Sequence, residues 1–228
     1  MQVPEAKFDF EQALSQVLSD GKEQPCIFDR LLAKFEAHAS RAAGSIYEIK
    51  RRDSKKSKGD GWESFCQWYL SRVCGYHYVW MWKEVPAEAR AALKLGSKVD
   101  NGIDIVAMKL FDNGFQYWTA VQCKYRKELN KTVTWTQLST FIGLCAQTGP
   151  WSEHLVMTNC KGVSRKTGIP KGPKDKTMAY GTFKKLNREM CTRVAPGHNS
   201  NAQSVAPETT KKPSTIEELR AARLAKFT

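Results

Sequence analysis

The stretch GIDIVAMKLFDNGFQYWTAVQCKYRK, residues 102–127, constrains the fold more than any other part of the chain. Two apolar runs, 103–107 and 117–121, flank the turn signal Asp112-Asn113-Gly114, so the stretch reads as a β-hairpin. Strands apolar on both faces belong to a sheet covered on both sides. The loop length decides which side chains meet. With Asn113-Gly114 as a two-residue loop, Asp112 faces Phe115 and Asp104 lies opposite Cys123. Its carboxylate is then on the other face from Gln122 and Lys124. With Asp112-Asn113-Gly114 as a three-residue loop, Phe111 faces Phe115 and Asp104 lies opposite Gln122. Lys124 is then the next residue on that face. Three-residue loops commonly pair a type I turn with a left-handed glycine, and Gly114 stands in that place. The sequence permits both registers. The second brings a carboxylate, an amide and an ammonium together at the rim of a buried sheet; an exposed strand end capped by Asp104 accounts for the same residues.

The segments around the hairpin suggest how it is covered. Residues 5–19 and 26–40 have helical apolar spacing (Phe10, Leu14, Val17; Ile27, Leu31, Phe35) and read as an N-terminal helical pair. Residues 50–61, KRRDSKKSKGDG, read as a basic loop. A helix follows over 61–74, with Trp62, Phe65, Tyr69 and Val73 on one face. Asp60 is its expected N-cap and Glu63 the capping-box acid. YHYVWMW, 76–82, reads as a buried strand, and 86–94 as a helix opened by Pro86. A further helix is expected from about Thr134 to Gly149, then a strand over 154–158. Residues 161–188 are densely basic with Gly and Pro. Linker composition runs from Pro196 to Lys212, and a short helix with a Ser214/Glu217 capping box closes the chain. The order helix, strand, hairpin, helix, strand indicates an α/β sandwich with a mixed sheet.

The chain has 228 residues and a formal net charge of +13, which favours a polyanionic partner, nucleic acid before an anionic membrane. No apolar run reaches the roughly 18 residues of a membrane span, and no secretory signal is visible, so an intracellular protein, cytoplasmic or nuclear, is expected. The seven cysteines lack zinc spacing and read as reduced, mostly buried thiols.

GWESF, NGIDIVA, AVQCKYR, TQLSTFIG and HLVMTNCKGVSRK, in that order and spacing, resemble the Mrr-type restriction endonucleases of the PD-(D/E)xK nuclease superfamily. The resemblance covers about residues 59–166. It implies a restriction-endonuclease-like sandwich, with a central mixed four-stranded sheet flanked by helices, and a metal-dependent DNA endonuclease. The implied organisation is an N-terminal helical extension over 1–50, a nuclease-like domain over 51–190, and a basic linker with a C-terminal helix over 191–228. Asp104 matches the motif's central acid and Gln122-Cys123-Lys124 its (D/E)xK tripeptide, with Gln in place of the usual acid. Glu63 matches the acid on the preceding helix, beside its reading as a helix cap.

Mg²⁺ is the implied cofactor, and Mn²⁺ can substitute. Its oxygen ligands are the Asp104 carboxylate, the Gln122 side-chain carbonyl and the Cys123 backbone carbonyl. Such a cation polarises a phosphate and acidifies water, and Lys124 orients that water or stabilises charge on the phosphate. DNA is the implied partner, and a homodimer is left open. Arg51, Arg52, Lys161, Arg165, Lys166, Lys171 and Lys174 are the expected phosphate contacts, against their reading as a solvated face. Gln137 faces either the site or solvent. The alternatives to a free-standing endonuclease are a non-cleaving DNA-binding module and the nuclease domain of a larger effector or helicase protein.

Overall fold

The computed structural model describes residues 8–41, 54–96, 102–164 and 171–196. Arg51, Arg52, Arg165, Lys166, the linker after Pro196 and the C-terminal helix lie outside them. The elements in order are α1 (Phe10–Ser19), α2 (Ile27–Arg41), α3 (Ser54–Trp68), β1 (Tyr78–Met81), α4 (Ala87–Ala92), β2 (Ile105–Leu110) and β3 (Gln116–Lys124). They continue with β4 (Thr132–Thr134), α5 (Ser139–Gln147), β5 (Glu153–Thr158), β6 (Gly162–Ser164), β7 (Asp175–Met178), α6 (Tyr180–Phe183) and α7 (Arg188–Thr192). A π turn, Tyr69–Val73, continues α3, and a 3₁₀ turn, Trp135–Leu138, leads into α5.

The central sheet has the order β1-β2-β3-β5-β7, with β1, β2 and β3 antiparallel and β3, β5 and β7 parallel. This is a mixed sheet flanked by helices, a restriction-endonuclease-like sandwich. It has five strands rather than the expected four. The extra strand, β7, carries the sequence DKTM, which is polar and half exposed, so its apolar signal is too weak to separate it from the basic loop around it. β1 is an edge strand rather than a buried one, and Tyr78 is exposed.

Alternation along β2, β3 and β5 divides the core between the two sheet faces. Ile105, Ala107, Val121, Cys123, Leu155 and Met157 join α1, α2 and α3 in one cluster. Its centre is aromatic: Trp62 stacks on Phe65 at 5.1 Å, and Phe183 meets both edge-on. Burying each such ring is worth about 1.5–3 kcal/mol. Val106, Met108, Trp118, Ala120 and Val156 form the other cluster with Leu93, Phe141 and Cys145. The N-terminal helical pair forms as expected, and Phe10, Leu14, Val17, Leu31 and Phe35 belong to the first cluster.

One helix start differs from expectation. α3 begins at Ser54, so the supposed basic loop is helical from that residue, and Asp60 and Glu63 stand inside the helix. Asp60 is therefore not an N-cap and Glu63 is not a capping-box acid. The Asp60 carbonyl accepts a bond from the Ser64 hydroxyl instead, as a helix-interior carbonyl can.

Candidate active site

The hairpin closes through its three-residue loop. The Phe111 N–H donates to the Phe115 carbonyl (3.0 Å), the Gly114 N–H to the Phe111 carbonyl (2.8 Å), and Gly114 has φ +78°. The register pairs Ile105 with Val121 and Val106 with Ala120. One residue further, the Asp104 N–H donates to the Val121 carbonyl (2.9 Å), so Asp104 lies beside Gln122. The two side chains meet: the Gln122 amide donates to Asp104 Oδ2. The same oxygen accepts the Cys123 backbone N–H at 2.5 Å. Gln122 is 3% exposed, so the cluster is set into the rim of the sheet.

Gly102 shapes the approach to Asp104. Its φ of +107° is open to glycine and disfavoured for other residues, and a Cβ there would stand 3.1 Å from the Phe141 backbone nitrogen. The start of α5 thus fixes where the chain enters β2.

The carboxyl ends of the parallel strands β3 and β5 meet at Lys124 opposite Thr158. Ligand sites of open α/β sheets collect at such ends. Two fully buried polar side chains hold this end together. Thr158 Oγ1 donates to the Lys124 carbonyl (2.7 Å). Asn159 Oδ1 accepts the Arg126 N–H (2.6 Å), and its Nδ2 donates to the Arg126 carbonyl (2.7 Å). Thr158 and Asn159 escape sequence reading because their partners lie more than thirty positions away; two polar residues closing the apolar run HLVM were the available signal.

Cys123 points to the opposite face from Gln122 and Lys124 and hydrogen-bonds Cys66 on α3. Burial pushes the Cys66 thiol up and the Cys123 thiol well up, and the charges of Asp104 and Glu63 act on both in the same direction. Both carboxylates therefore stand near this thiol pair, one from the sheet and one from α3. Neither thiol is a nucleophile at neutral pH. All seven cysteines are free, as expected.

Gln137 has a third role beyond the two expected. It caps the 3₁₀ turn before α5: its Oε1 accepts the Thr134 N–H (3.1 Å) and also Arg126 Nη2 (2.8 Å). Among the expected phosphate contacts, Lys161 is exposed just past the carboxyl end of β5. Lys171 and Lys174 are not at that end. Asp175 pairs with His154, so both lysines lie at the amino ends of β5 and β7. Four to five residues of strand, about 16 Å, separate them from the level of Lys124. The Lys174 ammonium donates to the Trp151 carbonyl (2.7 Å).

The mixed sheet and its flanking helices make a restriction-endonuclease-like fold. Residues 72–172 match an Mrr catalytic-domain family whose description is "Restriction endonuclease". The resemblance to Mrr-type enzymes is thus shown over that segment, which includes Asp104, Gln122 and Lys124 and begins after Glu63. A structural likeness at TM-score 0.41 and 17% identity covers 76% of this chain and 10% of the ATP-dependent Type ISP restriction-modification enzyme LlaBIII bound to DNA. This chain therefore spans about a tenth of that protein. No curated protein matches the chain. Among the described residues, no helix is long and apolar enough to cross a membrane.

Proposed function

We propose that this chain is a nuclease acting on DNA, and that it cleaves phosphodiester bonds with a divalent cation held at Asp104, Gln122 and Cys123. The family match supports the nuclease class. The observation that carries the site is the Asp104 carboxylate seated against the Gln122 amide and the Cys123 N–H, with Lys124 next along the same face.

The donor set suits a hard cation. Gln122 Nε2 lies between Asp104 Oδ2 and the Cys123 carbonyl oxygen, 3.5 Å from the latter. The Asp104 carboxylate, the Gln122 side-chain carbonyl and the Cys123 backbone carbonyl would hold the cation, and an all-oxygen set of this kind is what Mg²⁺ or Mn²⁺ prefers. Among the described residues no three His, Cys, Asp or Glu side chains gather. A cation bound there supplies Lewis-acid stabilisation of the phosphate and a more acidic water.

The chain's own residues do the rest. Asp104 brings the negative charge, fixed by two N–H donors. Among the described residues no hydrogen bond or ion pair engages the Lys124 ammonium, so it is available to the phosphate oxygens or to the attacking water. Thr158 fixes its backbone. Glu63, near the same thiols as Asp104, aids the site from α3 by binding a second cation or holding a water. Lys161 contacts the DNA backbone at this rim. Lys171 and Lys174 contact it at the other end of the sheet, and Arg51, Arg52, Arg165 and Lys166 complete the basic surface.

The test is incubation with plasmid, branched and methylated DNA, with Mg²⁺ or with EDTA, beside Asp104→Ala and Lys124→Ala. The expected result is Mg²⁺-dependent cutting by the wild type alone. Binding by the wild type without any cutting in Mg²⁺ or Mn²⁺ replaces this reading with a non-cleaving DNA-binding module.

A further inference from the structure

We propose that Arg126 binds a backbone phosphate of the nucleic acid beside the site, and that Asn159 and Gln137 are the positioning residues that aim it. This inference rests on the nuclease reading above.

The β3–β5 ladder ends at Lys124 and Thr158. Beyond it a chain would ordinarily go its own way, yet Arg126 does not. The Asn159 amide meets both its N–H and its carbonyl, at 2.6 and 2.7 Å, as a neighbouring strand's peptide would. Asn159 is 0% exposed, so this side chain is committed to holding Arg126. Two residues of chain span at most about 7 Å, which keeps the Arg126 backbone close to that of Lys124.

The guanidinium is held as firmly as the backbone. Nη2 donates to Gln137 Oε1 (2.8 Å) and Nη1 to the Tyr125 carbonyl (3.1 Å). Gln137 is itself fixed, because the same oxygen caps the 3₁₀ turn through the Thr134 N–H. Both acceptors of Arg126 are neutral. Glu128, two residues on, pairs with Lys131 at 2.6 Å instead. Among the described residues no carboxylate forms an ion pair with Arg126.

The result is an oriented, half-buried guanidinium whose charge is not neutralised by those residues. Two of its five N–H donors are used and three remain. An arginine placed to stabilise the fold gains most from a carboxylate. One held by neutral oxygens keeps its charge for an incoming anion, and the planar fork matches a phosphate. With Lys124 and Lys161 at the same rim, that anion is a phosphate flanking the one at Lys124.

The experiment is fluorescence anisotropy of a labelled 30-base-pair duplex in EDTA across a salt series, with circular dichroism on every variant and plasmid cleavage in Mg²⁺ alongside. Arg126→Gln keeps an amide donor for Gln137 and removes the charge. It is expected to weaken binding about 5–10-fold and to lower the salt slope by about 1, the loss of one phosphate contact. Arg126→Lys restores the slope. Gln137→Ala and Asn159→Ala weaken binding with the slope unchanged, since the charge remains but is no longer aimed. Wild-type affinity and slope in a folded Arg126→Gln, with the wild type cutting DNA, overturns this inference and leaves the nuclease reading standing. A wild type that neither binds nor cuts any DNA overturns both. Should Arg126→Gln fail to fold, a folded Gln137→Ala decides: wild-type affinity in that variant overturns the inference.

Discussion

Replacing Asp104 tests the site most directly, because the structure separates its structural cost from its chemical one. Oδ2 accepts two N–H donors, from the Gln122 amide and the Cys123 backbone, and both donor residues are buried. Asp104→Ala orphans both, and each buried orphan costs about 1–3 kcal/mol. Taking the lower half of that range, because the rim admits some water, the loss is about 3 kcal/mol. For a protein of this size that lowers Tm by about 6–12 °C. Asp104→Asn keeps an acceptor oxygen and loses only the charge assistance, about 1 kcal/mol, or about 2–4 °C. On the proposed reading, cation binding and chemistry, in contrast, need the charge. At a Mg²⁺ concentration of about 100 times Kd the wild type gains about 2.7 kcal/mol, or about 5–11 °C, and Asp104→Asn gains none. Losing about 4 kcal/mol of transition-state stabilisation lowers the Asn variant's cleavage rate by about 10³. Thermal melts with and without Mg²⁺, beside a plasmid-nicking assay, read both quantities on the same samples. Asp104→Asn cutting at the wild-type rate, or melting with the wild type's Mg²⁺ shift, refutes the assignment.

Glu63→Gln is expected to lower Mg²⁺-dependent cleavage at least tenfold with Tm within about 2 °C of wild type; unchanged cleavage in a nicking assay removes Glu63 from the site. Gly102→Ala meets both a left-handed φ and the Phe141 backbone, so it is expected to lose about 1–3 kcal/mol in denaturant titration and to cut more slowly as Asp104 shifts. Burial raises Cys74 and Cys191 to about 11 and Cys145 and Tyr69 to about 12. These groups hold their protons more tightly folded than unfolded, so the stability they contribute is complete below their ordinary values near 9 to 10. It is lost as pH rises through 11 and 12. Melts from pH 8 to 12 should therefore show a falling Tm from about pH 9, with no matching fall if the thiols and phenol are solvated.

Much of the candidate site's arrangement was legible because it rests on local chemistry. The apolar runs, the Asp-Asn-Gly turn and a glycine at the left-handed position permit the register that sets Asp104 opposite Gln122. Side-chain alternation then carries Lys124 to the same face. N-terminal helices with a clear 3.6-residue stripe were legible for the same reason. Choosing between the two hairpin registers fell to the tertiary structure, since the core on both faces must accept the alternation of β2 and β3 together. So did the setting of Glu63: its helix starts six residues earlier than the cap signal at Asp60 indicated, which places the acid inside the helix. β7 is a strand by virtue of the bonds β5 offers it, with little apolar pattern of its own. Thr158, Asn159, Gln137 and Arg126 became a set only when β3, β5 and the turn before α5 came together at one end of the sheet. Hydrogen bonds between residues eleven to thirty-four positions apart leave no periodicity in the sequence, whereas turns and alternation do.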